Sequence, residues 1–429
     1  MEAGSARRAQ VSTTARKAPF RKTLFAYLAV MGPGIITSAA DNDAGGITTY
    51  SICGAHFGYA LVWLLIPITV VLAMVQEMCA RMGAVTQKGL GELIREEFGV
   101  RWTLFALVVM LVANVATTVA EFAGIAASLQ MFGVHKAVSV IVSGLIVWLL
   151  VTRFNFRAVE RVFLAATLIF ATYIIAGFMA GPDWGEVARA AVTPVFHKTP
   201  EYILLVIATI GTTVTPWMQF FLQSTVVDKG IKIRQYRYQK ADVFFGAFLT
   251  DFVAFFIIVA TAATLYTHGI RIESAEHAAK ALEPFAGANA KLLFAIGLFN
   301  ASLLASAVLP LTTAYTYCES FGWEIGLSRS WREAPMFYGI FTFTLVIGAA
   351  VVLLPGLHLI TAMILSQDVN GILLPVVLIF MLKLVNNREI MGHHTNSPVY
   401  NIVCWATVVL IILLTVALLA ASFLHLPTS

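Results

Sequence analysis

The chain has 429 residues, of which 59% are hydrophobic and only 12% are charged, and its formal net charge is +5. A composition this apolar is typical of proteins with many membrane-spanning helices and excludes an ordinary soluble protein. The basic tail, residues 1–23, leads into a segment that is too long and too polar at its centre for a cleaved signal peptide, so we expect the mature protein to keep it.

Segments long enough to cross a membrane follow the tail. A bilayer core ~30 Å thick needs about 20 apolar residues per helix. Eleven segments meet this requirement and are numbered here as spans 1 to 11: residues 24–54, 59–82, 102–131, 135–152, 158–180, 201–227, 241–267, 289–318, 335–354, 357–383 and 399–424. The pattern predicts an all-α polytopic membrane protein with about 11 transmembrane helices.

Basic residues are distributed unevenly between the two sides of these spans. Most of the 28 Lys and Arg fall in the tail and in the connections after the even-numbered spans. Because cytoplasmic loops retain such residues, we expect a cytoplasmic N-terminus, an outer C-terminus and a location in the cell inner (plasma) membrane. The net positive charge of the chain then reflects the retention of Lys and Arg on the cytoplasmic side of the membrane. We expect the bilayer as a partner, and no nucleic acid.

Two spans carry helix-breaking residues near their centres. Span 1 contains DNDAGG at Asp41–Gly46, and span 6 contains GTTVTPW at Gly211–Trp217, in which Pro216 lacks an amide donor. Interrupted backbone is tolerated inside a membrane only where the freed groups line a cavity or bind something. The breaks lie five spans apart, which predicts two inverted repeats, residues 24–181 and 200–383, with the substrate between the broken helices and a peripheral helix at 399–424.

Carboxylates accompany these breaks. Asp41 and Asp43 lie midway along span 1, Glu121 lies in span 3, Asp251 in span 7 and Asp368 in span 10. Each costs ~2.5–3.5 kcal/mol to insert, and no Lys or Arg lies at the same depth, so a cationic substrate is favoured. Asp43 is the strongest candidate ligand. The others have an open alternative, in which a carboxylate caps a half-helix or accepts main-chain hydrogen bonds.

The side chains at the breaks favour a hard cation. Carboxylate, hydroxyl, amide and main-chain carbonyl oxygens suit Mg²⁺, Mn²⁺ or Ca²⁺, whereas soft metals prefer sulfur. Met218 is the only sulfur next to either break in the sequence, and the nine histidines fall in loops or at span ends. The cysteines show no paired spacing, so we expect packing roles for them and neither disulfides nor a metal framework: Cys53, Cys79, Cys318 and Cys404.

Several stretches resemble the NRAMP family of divalent-metal transporters. GPGIITSAADNDAGG is similar to the family's first helix, in which GPG is followed by a DPGN motif, and Asp43 falls on its Asp and Gly46 on its Asn. Similar stretches are QEMCARMGAVTQKGLGELIREEFG from Gln76, VAEFAGIAASL from Val119 and LKLVNNREIMG from Leu382. The resemblance covers most of the chain. It implies a LeuT-like 5+5 inverted repeat with broken helices 1 and 6.

The departures from the family pattern concern the metal ligands. The resemblance implies ligands at the DPGN Asp and Asn, at a helix 6 carbonyl and at the Met of an MPH motif. The last three positions are here Gly46, Thr212 and Thr215. Losing the thioether removes the main discrimination against Mg²⁺, and Gly46 predicts a wider cavity for a partly hydrated ion. The pattern resembles the NRAMP-related magnesium transporters, a prokaryotic branch of the family.

Proton coupling is also predicted to be lost. The helix 3 stretch reads TTVAE, with Thr118 where the family has Asp, although Glu121 remains, and the usual helix 6 His positions are Trp217 and Gln223. The resemblance therefore implies uptake of Mg²⁺, and also of Mn²⁺, by alternating access without proton movement. The predicted metal-site residues are Asp43, Gly46, Thr212, Thr215, Gln367, Asn42 and Gln223.

Other functions remain as alternatives. A proton-coupled Mn²⁺ or Fe²⁺ importer is the main one. Sodium-coupled amino-acid transport would require a helix N-terminus offered to a carboxylate, whereas Asp41 and Asp43 crowd the break with negative charge. No nucleophile–base pair, Zn motif or output domain supports a membrane enzyme or a metal-sensing receptor. We expect no enzymatic activity, no resident cofactor and no obligate protein partner.

Overall fold

The computed structural model describes residues 32–153, 167–280, 287, 290–327 and 329–423. Regular secondary structure in these ranges consists of helices. Numbered in chain order, the α-helices are α1 Pro33–Asp41, α2 Ala44–Phe57, α3 Val62–Thr86, α4 Leu90–Gln130, α5 Lys136–Arg153, α6 Ala171–Met179, α7 Trp184–Val192, α8 Pro200–Thr213, α9 Pro216–Asp228, α10 Tyr236–Thr264, α11 Ala275–Ala279, α12 Ala290–Phe321, α13 Pro335–Leu353, α14 Leu359–Asn386, α15 Arg388–Met391 and α16 Pro398–Phe423. Short 3₁₀ turns occupy Thr167–Phe170 and Tyr266–His268.

Nine helices in the described part of the chain are long and apolar enough to cross a membrane, if α8 and α9 are counted as one continuous segment. They correspond to the predicted spans 2 to 4 and 6 to 11. Span 1 is described as two shorter helices, α1 and α2, and span 5 is described only from residue 167 onward. The tail at 1–23 and the first parts of spans 1 and 5 lie outside the described residues.

Helix α4 begins earlier than the predicted span 3. The predicted membrane span of 102–131 agrees with the helix that follows Gly99, whereas helical backbone already begins at Leu90 and is interrupted at Gly99. Gly99 has φ 73°, a left-handed value that glycine adopts without steric cost. The apolar residues that follow Gly99 form the membrane-crossing part, so the charged stretch before it makes a separate short helix.

The core is built around α4, which packs along α12 and α14. Helix α10 packs against α1, α2 and α3, and α8 packs against α14. In the most apolar stretch of the α8–α9 segment, 89% of the residues are buried inside the protein. In the corresponding stretch of α16 only 17% are buried. The two broken helices therefore lie inside the bundle, and α16 lies at its edge.

Candidate metal site

The first break separates α1 from α2 at only two residues, Asn42 and Asp43. Asp43 has extended backbone and caps α2, because its Oδ1 accepts a hydrogen bond of 2.6 Å from the main-chain nitrogen of Gly46. The side chain of Asp43 is 1% exposed. The predicted break is therefore confirmed, although Ala44–Gly46 already belong to the second helix. The hydrogen bond to Gly46 thus fixes the orientation of the buried Asp43 carboxylate.

The second break lies at Val214 and Thr215, between α8 and α9. Thr215 has extended backbone and begins α9, and Pro216 occupies the first helical position, where its missing amide hydrogen costs no intrahelical bond. The hydroxyl of Thr215 is buried, and no hydrogen-bond partner is described for it. The predicted break of span 6 is confirmed at this point.

Three oxygen atoms converge beside Gly46. A Cβ atom added to this glycine would lie 3.0 Å from Thr212 Oγ1, 3.1 Å from the main-chain oxygen of Asp41 and 3.2 Å from Asp43 Oδ1. These are a hydroxyl, a carbonyl at the end of a half-helix and a carboxylate, all of them hard donors. Neither the Thr212 hydroxyl nor either carboxylate oxygen of Asp41 has a described hydrogen-bond partner.

This arrangement changes one expectation from the sequence. Gly46 predicted extra space, but the volume that a side chain would fill is approached by the three oxygens, so the space directly beside Gly46 is not an open cavity. The three oxygen atoms lie close to the place that a side chain at position 46 would occupy. For Thr212 the sequence predicted a main-chain carbonyl as ligand, whereas the atom that faces Gly46 is the hydroxyl.

Two further polar side chains from other helices reach the first break. Glu121 of α4 accepts a hydrogen bond of 3.2 Å at Oε2 from the main-chain nitrogen of Ala44, and its carboxyl group neighbours that of Asp43. Gln367 of α14 also lies beside Asp43, and its Nε2 would be 1.8 Å from a Cβ atom on Gly45. A Cβ atom on Gly45 would therefore displace the Gln367 amide. The structure thus places Gln367 beside the first break, and its predicted role at the metal stays a prediction.

A chain of amides and hydroxyls holds Gln367 in place, and the sequence analysis missed it. Asn370 Nδ2 donates to Gln367 Oε1 at 3.1 Å and lies 2.9 Å from the hydroxyl of Thr117, a residue of α4. Asn370 stands three residues after Gln367 on the same helix, a spacing that places both on one face. That spacing was a signal available in the sequence.

Other predicted or candidate residues lie elsewhere. Asn42 lines a separate apolar pocket of about 200 Å³ together with Ser38 and Thr250. Gln223 donates from Nε2 to the main-chain oxygen of Lys88 at 2.9 Å, and eight residues of helix place it about 12 Å along the axis from Thr215. The structure thus brings neither amide to the three oxygens beside Gly46. The role of both residues as metal ligands stays a prediction that this geometry does not support.

The residues expected to replace the family's proton route make apolar or local contacts. Trp217 is 1% exposed and packs against Phe221 with 6.1 Å between ring centroids. The Thr118 hydroxyl donates to the main-chain oxygen of Asn114 at 2.6 Å, within its own helix. Neither side chain offers a titratable group.

The sulfur atoms on or beside the broken helices are engaged by other side chains. Met218 has its sulfur 4.0 Å from the amide of Gln76, Met363 accepts at 3.5 Å from Thr48, and Cys53 lies 3.4 Å from the hydroxyl of Thr209. In the part of the chain that the structure describes, no three His, Cys, Asp or Glu side chains are grouped closely enough to hold a metal ion between them. All four cysteines are buried and free, as predicted. Any ion held at the breaks would therefore be coordinated mainly by oxygen.

Comparison with known proteins places this geometry in a family. Residues 34–421 match the family model Nramp, described as natural resistance-associated macrophage protein-like. The divalent metal cation transporter MntH of Bacillus subtilis is 26% identical over 408 residues, covering 92% of this chain and 93% of that protein. The protein of the same name from Mycobacterium leprae is 28% identical over 402 residues, covering 91% of each.

Solved structures support the fold. The Eremococcus coleocola manganese transporter, in complex with an aromatic bis-isothiourea substituted compound, superposes with a TM-score of 0.79 at 19% identity, covering 98% of this chain and 92% of that one. MHP1, a nucleobase-cation-symport-1 family transporter, superposes with a TM-score of 0.58 at 16% identity, covering 93% and 92%. The predicted LeuT-like architecture with two broken helices is confirmed.

Proposed function

The chain belongs to the Nramp family of divalent-metal transporters, and we propose that it carries Mg²⁺, and also Mn²⁺, by alternating access without moving protons. The proposed site lies between the two breaks. Asp43 is the anchoring carboxylate, Thr212, Thr215 and the Asp41 carbonyl supply uncharged oxygens, and Gln367 orders the ion or its waters.

One observation carries the choice of ion. The atoms that converge beside Gly46 are a hydroxyl, a carbonyl and a carboxylate, and the position where relatives are expected to have a thioether is Thr215. Hard oxygen donors suit Mg²⁺, which keeps several waters and uses one or two carboxylates. With no sulfur at the break, the site lacks a donor that favours softer ions over Mg²⁺.

The contact between Asp43 and Glu121 supports a divalent substrate. Two carboxyl groups brought together inside a protein repel each other strongly when both are ionised, and a doubly charged cation between or beside them offsets that repulsion. The membrane potential alone can drive entry, since it supplies ~4.6 kcal/mol per 100 mV for a divalent ion. With this driving force, ion entry does not require a coupled flow of protons.

The proposal includes the arrangement in the membrane. We infer that residues 24–181 and 200–383 form the two repeats that move relative to each other, that the N-terminus is cytoplasmic and that the protein resides in the plasma membrane. The uneven distribution of Lys and Arg supports this orientation.

A second candidate is a proton-coupled Mn²⁺ or Fe²⁺ importer. The retention of Glu121 next to Asp43 favours it, because a buried carboxyl group at the site could exchange a proton with the incoming ion. The absence of a titratable group at Thr118 and Trp217 argues against a proton route beyond that point.

Uptake into proteoliposomes separates the two candidates. A fluorescent Mg²⁺ indicator inside the vesicles would follow uptake with and without a pH gradient, while a pH dye follows internal acidification. We expect saturable Mg²⁺ uptake with no change in internal pH. Exclusion of Mg²⁺ together with acid-driven Mn²⁺ uptake would overturn the proposal and support the second candidate.

A further inference from the structure

A large cavity opens in the bundle, and its lining includes Asp368, which follows Gln367 in the chain. Its volume is about 870 Å³, and it is lined by one face each of α2, α4, α8 and α14 and by the segment 272–275. Six waters at ~30 Å³ each occupy about 180 Å³, so a fully hydrated Mg²⁺ fits easily. We call this cavity the vestibule. In the orientation proposed above it faces the outside of the cell.

The carboxylate of Asp368 lies deep in the vestibule. Thr361, Ile364 and Asp368 line it at spacings of three and four residues, which puts them on one face of α14 and about 10 Å apart from first to last. Asp368 is only 7% exposed, and its Oδ1 has no described hydrogen-bond partner. A buried carboxylate that lines a cavity and has an oxygen without a hydrogen-bond partner is expensive to maintain unless it binds something.

Two other acidic residues line the vestibule, the exposed Glu273 and the half-exposed Glu201, and Glu201 is paired. Glu201 lies 2.7 Å from His56 Nδ1 and also pairs with Arg271, whose Nη2 is 3.1 Å from the same histidine nitrogen. Lys136, which also lines the vestibule, donates to the main-chain oxygen of Leu354 at 3.0 Å. The charge of Glu201 is therefore compensated within the rim, and Lys136 keeps its positive charge. No salt bridge is described for Asp368, so its carboxylate is available to a ligand.

Asp368 adjoins the proposed site through its neighbour in the chain. Gln367 precedes it and lies beside Asp43 and Gly45. Successive residues of a helix differ by about 100° in direction and 1.5 Å in height, so Gln367 faces the break while Asp368 faces the vestibule. One turn of α14 thus links the two.

We propose that Asp368 is a capture ligand, which binds the hydrated divalent cation in the vestibule before the ion reaches Asp43. This inference rests on the proposed function of the breaks. Because the ion remains hydrated, the carboxylate contacts it through water. Capture raises the occupancy of the transport site at low ion concentration and is not required for the transfer step itself.

The first test is kinetic. Asp368→Asn keeps the size of the side chain and removes its charge, so we expect the KM for Mg²⁺ uptake to rise about ten-fold while the maximal rate stays within two-fold. Glu186→Gln is the matched control, because this exposed carboxylate lies on α7 outside the vestibule, and it should leave both constants unchanged. An unchanged KM in Asp368→Asn would contradict the inference.

The second test measures binding without transport. Ile364→Cys places a thiol one turn from Asp368 on the vestibule wall, and a membrane-impermeant maleimide would report its accessibility in proteoliposomes. Labelling of the protein without this thiol gives the background. We expect Mg²⁺ to slow labelling at least three-fold when Asp368 is present, and to have no effect in the Asp368→Asn background.

The same labelling in the Asp43→Ala background separates the two proposals. Protection should persist there, because capture precedes the transport site, and Mn²⁺ should protect as Mg²⁺ does. If the protein fails to transport Mg²⁺ yet protection still depends on Asp368, only the proposed function has failed. Protection that persists in Asp368→Asn, or that is lost in Asp43→Ala, would overturn the capture role.

Discussion

The carboxylate of Asp43 accepts a 2.6 Å hydrogen bond from the main-chain nitrogen of Gly46, so one oxygen caps a helix at the point where a metal ligand is expected. The same oxygen lies among the three that surround Gly46. A single residue therefore both ends the break and sets the charge at its centre, and the two roles can be separated by mutation.

Asp43→Asn keeps an acceptor for Gly46 and removes the negative charge. We expect Mg²⁺ uptake to fall about 100-fold or more, which corresponds to ~2.7 kcal/mol of lost interaction with the ion. Asp43→Ala should abolish uptake and also lower the free energy of unfolding by about 1 kcal/mol, because the cap is lost. Uptake assays and thermal unfolding in detergent would measure the two effects. Substantial uptake by the folded Asn variant would contradict the assignment.

Adding a methyl group at Gly46 tests the convergence of oxygens. In Gly46→Ala the new Cβ would lie 3.0 to 3.2 Å from Thr212, Asp41 and Asp43, so these oxygens must retract, and we expect Mg²⁺ uptake to fall about ten-fold. Gly339→Ala is the matched control, since no atom lies within 4 Å of its added Cβ and a helical alanine is favoured over glycine by ~0.5–1 kcal/mol. Equal uptake by the two variants would show that the space beside Gly46 does not matter.

Thr212 offers two different oxygens, and substitution distinguishes them. Thr212→Ala removes the hydroxyl that faces Gly46 and leaves the main-chain carbonyl that the sequence predicted as a ligand. We expect a several-fold rise in the KM for Mg²⁺ that Thr212→Ser, which restores a hydroxyl, largely reverses. If the alanine variant keeps the normal KM, the hydroxyl is not a ligand and the main-chain carbonyl remains the candidate.

The sequence predicted the helix breaks and their main residues because these follow from local rules. DNDAGG brings two carboxylates, an amide and a glycine pair into one membrane segment, and GTTVTPW combines Pro216 with clustered threonines, so both breaks could be located to within a few residues. A proline alone would not suffice, because Pro67, Pro310 and Pro375 lie inside continuous helices. The packing between helices could not be predicted in this way. Which oxygen of Thr212 faces Gly46 depends on the rotation of α8 against α2, and that rotation is set by contacts distant in sequence.

The same reasoning applies to two of the weaker candidates. Gln223 falls on a position where the family has His, but the rise of α9 carries it to the main chain at Lys88. Asn42 lies next to Asp43 in the sequence, yet it lines another pocket and is not among the residues that converge beside Gly46. Proximity in sequence does not determine direction where the helix is interrupted.

Glu121 tests whether ion movement is linked to protons. Glu121→Gln retains a carbonyl oxygen that can accept from the Ala44 nitrogen and removes the carboxyl group beside Asp43. We expect Mg²⁺ uptake to continue within about ten-fold of the unmodified protein, with no internal acidification in either. Acidification during uptake by the unmodified protein that disappears in the Gln variant would identify Glu121 as a proton carrier.

Thr215→Met restores a thioether at the second break. Because the hydroxyl, carbonyl and carboxylate oxygens beside Gly46 remain, we expect the added sulfur to lower Mg²⁺ uptake several-fold without creating a preference for Cd²⁺. Thr215→Val is the matched control, since it removes the same buried hydroxyl and adds no sulfur. Competition of Cd²⁺ against Mg²⁺ uptake would be measured in both variants. If Cd²⁺ competes at least ten-fold better in the Met variant than in the Val variant, then one sulfur atom suffices to set selectivity and the oxygens beside Gly46 do not.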